Sequence, residues 1–356
     1  MTRERRGSRR MGNPPVGALR PLAAVLLRAR SAALSGLLVL AVAPVAGLLH
    51  AQAPGTSFPT QPIRLIVAFP AGGGTDLTAR LLADHMRQTL GTPFVVENRA
   101  GASGMIGTGA VAKAKPDGYT LLANSGEVAS NPHLYKSMPY DWDTDLTPVT
   151  LMVRVPNVLA VHPDVPAKTV AELVAWAKGQ KGKLTFSSSG IGNPQQLTGE
   201  LFNRMAGVQI THVPYKGAAP QIADVVGGHI TMTFVSIGAA LPFIESGRLR
   251  ALGVTSLTRV SALPGVPPIA ETPGLAGFEL VNFFGMFGPA GLPPAILKTL
   301  NAAATQALKS PEIAQKLRES GFEPSPGTPE QFREFVRRES ARAGRIIAEA
   351  GIKAEQ

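Results

Sequence analysis

Two stretches carry residue types suited to holding an anion. One is Gly72-Gly73-Gly74 with Thr75 and Asp76, and the other is Ser187-Ser188-Ser189-Gly190. Each follows a short β-rich run and precedes residues at helical spacing. Glycines between a strand and a helix let the backbone approach a ligand closely. The unpaired N–H groups and the dipole at a helix start favour negative charge. No Lys precedes Thr75, and the G-x-G-x-x-G spacing is missing, so neither a triphosphate nor a dinucleotide is indicated. A carboxylate fits better, with a turn needed only for packing as an equal alternative. Asp76 reads first as a helix N-cap and second as a group that orients the loop. The serine loop offers hydroxyls and N–H groups without a buried charge. Lys216, in Tyr215-Lys216-Gly217, could neutralise a carboxylate, although solvation is the commoner role of such a lysine.

Most other chemistries are excluded or weak. Cysteine is absent, which removes disulfides, thiolate metal sites and a Cys nucleophile. There is no H-E-x-x-H, G-x-S-x-G or S-x-x-K motif. His85, His133, His162, His212 and His229 share no metal-ligand spacing. The acidic run Asp141-Trp-Asp-Thr-Asp145 lacks the glycine and terminal Glu of a calcium loop and reads as a solvated turn. No cofactor and no metal are expected.

The elements that must position these loops are legible from periodicity. Ile63–Phe69, Phe94–Glu97 and Tyr119–Ala123 read as strands. Between them come a helix from Thr75 to Gly91, a glycine loop from Gly101 to Gly109 and a short helix. This βαβαβ order implies a parallel sheet covered by helices. The order then recurs: strands at Val158–His162, Leu184–Ser187, Val208–Val213, Ile230–Val235 and Leu249–Thr255 alternate with helices. Three helices follow Pro293, at about 294–310, 311–320 and 329–350. The fold class is α/β, with two lobes of similar construction and ligands expected at the carboxyl ends of their strands.

With 356 residues the chain is long enough for two domains. Its net charge of +11 is misleading as a nucleic-acid signal. Residues 1–53 hold eight Arg and one acidic residue, so the remaining 27 basic and 23 acidic side chains nearly balance. Aromatics are only 6%, which disfavours a base-stacking surface, and no nucleic-acid partner is expected. The arginines precede an apolar run, Ala32–Leu49, and then Ala51-Gln52-Ala53. That is the pattern of a secretory signal peptide over 1–53, cleaved near Ala53; an uncleaved anchor is the competing reading.

These motifs converge on a resemblance. The segments Pro62–Asp76, Val95–Arg99, Lys113–Leu122, Asn131–Tyr135, Val155–Val158, Thr211–Gly217, Leu249–Thr255 and Phe287–Gly291 occur in order. Together they cover nearly everything after residue 58 and resemble the Bug (Bordetella uptake gene) receptors of tripartite tricarboxylate transporters. The resemblance implies a periplasmic binding protein of the Venus flytrap type. Each lobe would be a mainly parallel sheet flanked by helices, with the hinge crossed twice. It implies one lobe from 54–153 with 283–356, a second from 154–282, and hinges near Leu151–Val155 and Val281–Phe284. A small carboxylate would lie between the lobes and be delivered to a two-subunit membrane permease. A monomer is expected.

By the same resemblance the ligand contacts would come from Phe69, Ala71, Gly72, Gly73, Gly74, Thr75, Asp76 and Ser125 of the first lobe. The second lobe would add Ser188, Ser189, Gly190, Gly192, Asn193, Gln196, Tyr215, Lys216, Gly217, Val235 and Ser236. Two positions depart from the usual pattern. Val235 and Ser236 stand where many members carry Asp then Asn, and Gln196 where many carry His. Without an acidic partner for an ammonium group, amino acids should bind poorly. Two rival readings are a ligand-presenting sensor for a membrane kinase and an exported hydrolase using Ser188 or Ser189 with His212 as base.

Overall fold

The structure, a computed structural model, describes residues 58–180 and 182–353. The expected leader and its cleavage site lie outside the described residues. The chain opens with β1 (Ile63–Val67), α1 (Gly74–Leu90), β2 (Phe94–Asn98), α2 (Met105–Ala112) and β3 (Thr120–Ser125). Then come α3 (Glu127–Leu134), α4 (Trp142–Asp145) and β4 (Leu146–Val155). β1 pairs in parallel with both β2 and β3. Apart from exposed Arg64, its residues are buried on both faces. Ile63, Leu65 and Val67 join one apolar cluster, and Ile66 joins another on the opposite side.

Pro156 alone separates β4 from β5 (Asn157–Val161). The second lobe continues with α5 (Val170–Gly179), β6 (Leu184–Ser188), α6 (Pro194–Ala206), β7 (Ile210–Pro214), α7 (Ala218–Val226), β8 (Met232–Ser236), α8 (Ile237–Glu245) and β9 (Arg250–Val254). The chain returns to the first sheet as β10 (Asn282–Pro289). It ends in α9 (Pro294–Lys309), α10 (Pro311–Glu319), β11 (Glu323–Pro324) and α11 (Pro329–Ala350).

The strand orders are β11-β4-β10-β3-β1-β2 and β7-β6-β8-β5-β9. Both sheets are mixed rather than mainly parallel. β10 runs antiparallel to β3 and β4, and β5 antiparallel to β8 and β9. The cause lies in the crossings. β4 runs almost directly into β5, so β5 enters the second sheet with its direction already set.

Three further differences follow from local chemistry. Gly107 and Gly109 lie within α2, not in a loop; a Cβ on Gly107 would stand 2.8 Å from the Arg99 carbonyl, so glycine lets this helix close on β1. The run Asp141–Asp145 is no solvated turn, because Asp143 is bound by Arg333 and Arg337 of α11. Finally, α11 belongs to both lobes. A capping box of Thr328 and Gln331 starts it, Phe332 and Val336 pack in the first lobe, and Ala343, Ile346 and Ile347 pack in the second.

Candidate functional site

The loop after β1 is shaped by its glycines and held by Asp76. Gly72 has φ +81°, a left-handed conformation that glycine adopts without strain. Gly73 is extended and stands at the N-cap of α1, and no side chain caps that helix. The first-turn N–H groups are therefore left for another acceptor. Gly74 packs where a Cβ would meet the rings of Phe284 and Phe322 at 2.9 Å.

Asp76 is not the cap. It lies inside the first turn and reaches back, accepting from the Gly72 N–H at 2.9 Å and from Arg80 Nε at 3.0 Å. Its other oxygen accepts from Asn98 Nδ2 at 2.9 Å, and that amide also donates to the Phe69 carbonyl. Burial alone would raise the Asp76 pKa, but hydrogen bonds from Arg80, Gly72 and Asn98 outweigh it and hold the carboxyl below its ordinary range. The carboxylate is thus consumed from behind, and it fixes the loop.

Three helices of the second lobe begin near this loop. α6 caps itself: Asn193 accepts from the Gln196 N–H, while Gln196 Oε1 accepts from Gly192 and Gln195 Oε1 from Ser189 N at 2.8 Å. By contrast α7, after Gly217 at φ +109°, and α8, after Ser236, have no side-chain cap. The pattern of bare helix starts is therefore α1 from one lobe and α7 and α8 from the other.

All three border one cleft of about 630 Å³ between the lobes. Gly72, Gly73 and Gly74 line it from the first lobe, and Ser189 and Ser236 from the second. The other expected contacts are not among its lining residues. The Phe69 ring lies near Gly104, and Thr75, Asp76, Ser125 and Gln196 are buried. Ser125 donates to Glu127. Val235 is enclosed in the second-lobe core. Gly192 lies against Leu134 of α3. Tyr215 donates to Asp224 and its hydroxyl pKa is pushed up to about 12, by burial first and then by that carboxylate. Lys216 is exposed, as are Ala71 and its neighbour Pro70.

Sequence reading missed Asn157, Gln195, Ala218, Asn282, Phe284 and Phe322, all of which line the cleft. Proximity to the hinge crossings was the available signal for the two asparagines. Phe284 shares the second of those crossings, whereas no motif marks Phe322. The one charged side chain among the lining residues is Glu319, exposed and bonded to Gln315. A second depression of about 370 Å³ lies among α6, β7 and the end of α11, next to the Arg204–Glu349 ion pair. No bare helix start opens into it.

Ser188 Oγ lies 2.7 Å from His212 Nε2 and donates to the Gly190 carbonyl at 2.8 Å. Ser188 is fully buried, and burial lowers the His212 pKa to about 4. Among the described residues no group of three His, Asp or Glu side chains could hold a metal. No helix among them is long and apolar enough to cross a membrane.

Comparison with known proteins bears on this arrangement. The profile of the family described as "Tripartite tricarboxylate transporter family receptor" matches residues 78–352. Protein BugT of Bordetella pertussis (strain Tohama I) is 38% identical over 299 residues, 83% of this chain and 91% of that one. The structure of R. palustris Rpa4515 with adipate is 38% identical, with a TM-score of 0.75 over 83% of this chain and 99% of that one. The periplasmic binding protein BugD is 34% identical, with a TM-score of 0.71 over 84% of this chain and 100% of that one.

Proposed function

The chain belongs to the tripartite tricarboxylate transporter receptor family, and from that premise we propose that it is a periplasmic protein that closes on a small organic carboxylate and hands it to a two-subunit membrane permease. The observation that carries this reading is the convergence of three uncapped helix starts on a cleft with no basic side chain among its lining residues. Backbone N–H groups of Gly73 to Thr75 would hold carboxylate oxygens from one lobe, and those opening α7 and α8 from the other. Hydrogen bonds to a charged group contribute about 1.5–3 kcal/mol each, so a few suffice for micromolar affinity after ordering costs. Phe284 and Phe322 supply the apolar wall. Adipate on Rpa4515, a relative in sequence and fold, supports a carboxylate ligand here.

In this reading residues 54–153 with 283–356 form one lobe and 154–282 the other, with hinges at Leu151–Val155 and Val281–Phe284, and the end of α11 reaches across to pack on the second lobe. Export through a leader cleaved near Ala53 and action as a monomer belong to the same reading. Both lobes touch the ligand only when closed, so binding shifts the population toward the closed form.

Titration calorimetry with a panel of carboxylic acids and their neutral amides tests the reading. Gly73→Asp is the informative variant. Gly73 has an ordinary φ of −77° and a Cβ there meets nothing closer than 3.5 Å, so the change adds charge without strain. Acid binding that survives Gly73→Asp, or amides that bind as well as acids, would count against it. The hydrolase alternative has the Ser188–His212 contact in its favour. It predicts ester turnover lost in Ser188→Ala, whereas a receptor predicts no turnover in either form.

A further inference from the structure

Asn157 opens β5 and Asn282 opens β10, so both line the cleft where the chain crosses between lobes. Asn282 pairs with Val155 in its ladder and Asn157 pairs with Ser236, which puts the two residues on either side of Pro156. Asn282 Oδ1 accepts from Gly126 N at 3.0 Å and Phe283 N at 2.7 Å, so its NH2 end is left over. Asn157 is turned the other way. Its residue is 2% exposed, and its Nδ2 is enclosed without a partner among the described residues. The end open to the cleft is Oδ1, an acceptor that no donor among the described residues meets. Thr255 fixes the main chain beneath it, accepting from Asn157 N through Oγ1 at 2.9 Å and donating through its own N–H to Asn157 O at 3.0 Å. A nearly buried carbonyl oxygen held this firmly is completed by a donor on a ligand.

The start of α1 has a different character. Gly74 opens that helix, and Leu77 follows three residues later on the same face. Leu77 lines the cleft and is 40% exposed, unusual for so large an apolar side chain in this molecule. A Cβ on Gly74 would meet Phe284 and Phe322, whose rings stand edge to face with centroids 5.4 Å apart. Ala218 and Ala239 add only methyl groups to the lining from the second lobe. A carboxylate at the bare start of α1 therefore has apolar side chains beside it, and the part of the ligand joined to it is apolar too. The one charged lining residue is Glu319, so a second carboxylate finds no counter-charge.

Resting on the receptor reading above, we infer that the cleft is built for a hydroxylated aromatic carboxylate. Its carboxylate takes the N–H groups opening α1, its ring covers Leu77 beside Phe284 and Phe322, and its hydroxyl donates to Asn157 Oδ1. A phenolic O–H is a strong donor, and its oxygen can still accept from the Asn282 amide. A methoxy group only accepts, so it meets the Asn157 acceptor with an acceptor. A bare ring leaves Asn157 unpaired. A 2-hydroxy acid sets its hydroxyl among the apolar side chains next to α1, and an aliphatic dicarboxylate brings a second anion with no partner. Asn157 is thus a specificity-determining residue, and Leu77 marks where the ring lies.

Calorimetry with the full-length protein tests this on benzoate, its meta- and para-hydroxy forms and its meta- and para-methoxy forms, with malate and adipate beside them. The better of the two hydroxy acids should lead benzoate and its own methoxy counterpart by roughly tenfold. Asn157→Leu should bring that hydroxy-to-methoxy ratio within about twofold and leave benzoate binding in place. A merely structural role for Asn157 would instead lower every ligand alike and preserve the ratio. Leu77→Gln, at an exposed position, should weaken all the aryl acids several-fold and keep the ratio. Should the Asn157 variant fail to fold, the ratio in the natural protein and the Leu77 variant still decide. Methoxy equal to or ahead of hydroxy overturns the inference, as does a ratio that survives Asn157→Leu or aryl binding indifferent to Leu77→Gln. Malate or adipate ahead of every aryl acid overturns it too and leaves the receptor reading standing. Silence of every carboxylate overturns the receptor reading itself.

Discussion

Asp76 shows how a site can depend on a side chain that never faces it. Its two oxygens accept from Gly72, Arg80 and Asn98, and Asn98 in turn holds the Phe69 carbonyl. Asp76→Asn keeps the volume but weakens three acceptor contacts, one of them charged. It should lower stability by about 1–3 kcal/mol and weaken acid binding through the loosened loop. The folded pKa lies below the ordinary value, so this contribution is present above about pH 4 and is lost as the pH falls through the lower folded value. Denaturation of both forms at pH 7 and near pH 3 checks this; an equal gap at the two pH values would refute it. The sequence puts Asp76 at a helix start and so suggests both a cap and an orienting role. Only the second fits, because the helix begins three residues earlier than the cap requires. Gln196, among the contacts the resemblance implies, is buried and accepts from Gly192, a local bond that spacing cannot distinguish from a ligand contact.

Helices α8 and α10 meet end to end across the lobes. The Ser320 carbonyl, at the end of α10, lies so close to Gly238 that a Cβ there would collide with it. Gly321, at φ +75°, lies against Ile237 from the same side. Gly238→Ala should force the two helices apart, widen the cleft they border and weaken acid affinity by roughly tenfold, even though Ala gains up to about 1 kcal/mol of helix propensity over Gly. Calorimetry with small-angle scattering reads both effects; unchanged affinity would dismiss the contact as incidental to closure. Neither α8 nor α3 was legible in the sequence, and both contain a proline, Pro242 and Pro132. A proline inside so short a segment reads as a breaker, and packing against the sheets overrides it. By contrast α1, α6 and α11 were legible because their apolar spacing and their Gly91, Gly207 and Gly351 stops agree. Sheet direction was not, since nothing local records that β4 carries its direction into β5.

The two lobes are tied behind the cleft as well as hinged beside it. Arg154 of β4 pairs with Glu279, just ahead of β10, and Arg342 of α11 donates to the Glu279 carbonyl. α11 then buries its ends in different cores. Acid should act on this molecule through opposing groups. Burial lowers the His212 pKa from 6.5 to about 4, so the unfolded chain binds the extra proton between those values. Stability from His212 is complete above pH 6.5 and is lost as the pH falls toward 4. Glu127, Glu200 and Glu339 have raised pKa values, chiefly from burial, and their contributions run the other way, complete below pH 4.5 and lost as the pH rises. The measured curve is therefore a difference, and a flat profile would hide both. His212→Gln removes one side while still able to hydrogen-bond Ser188. Relative to that variant, the natural protein should lose on the order of 2–3 kcal/mol between pH 7 and pH 4. Urea denaturation of the pair across this range decides it. Parallel curves would mean that the imidazole gains water on protonation and that the Ser188 contact opens in acid without cost to the fold.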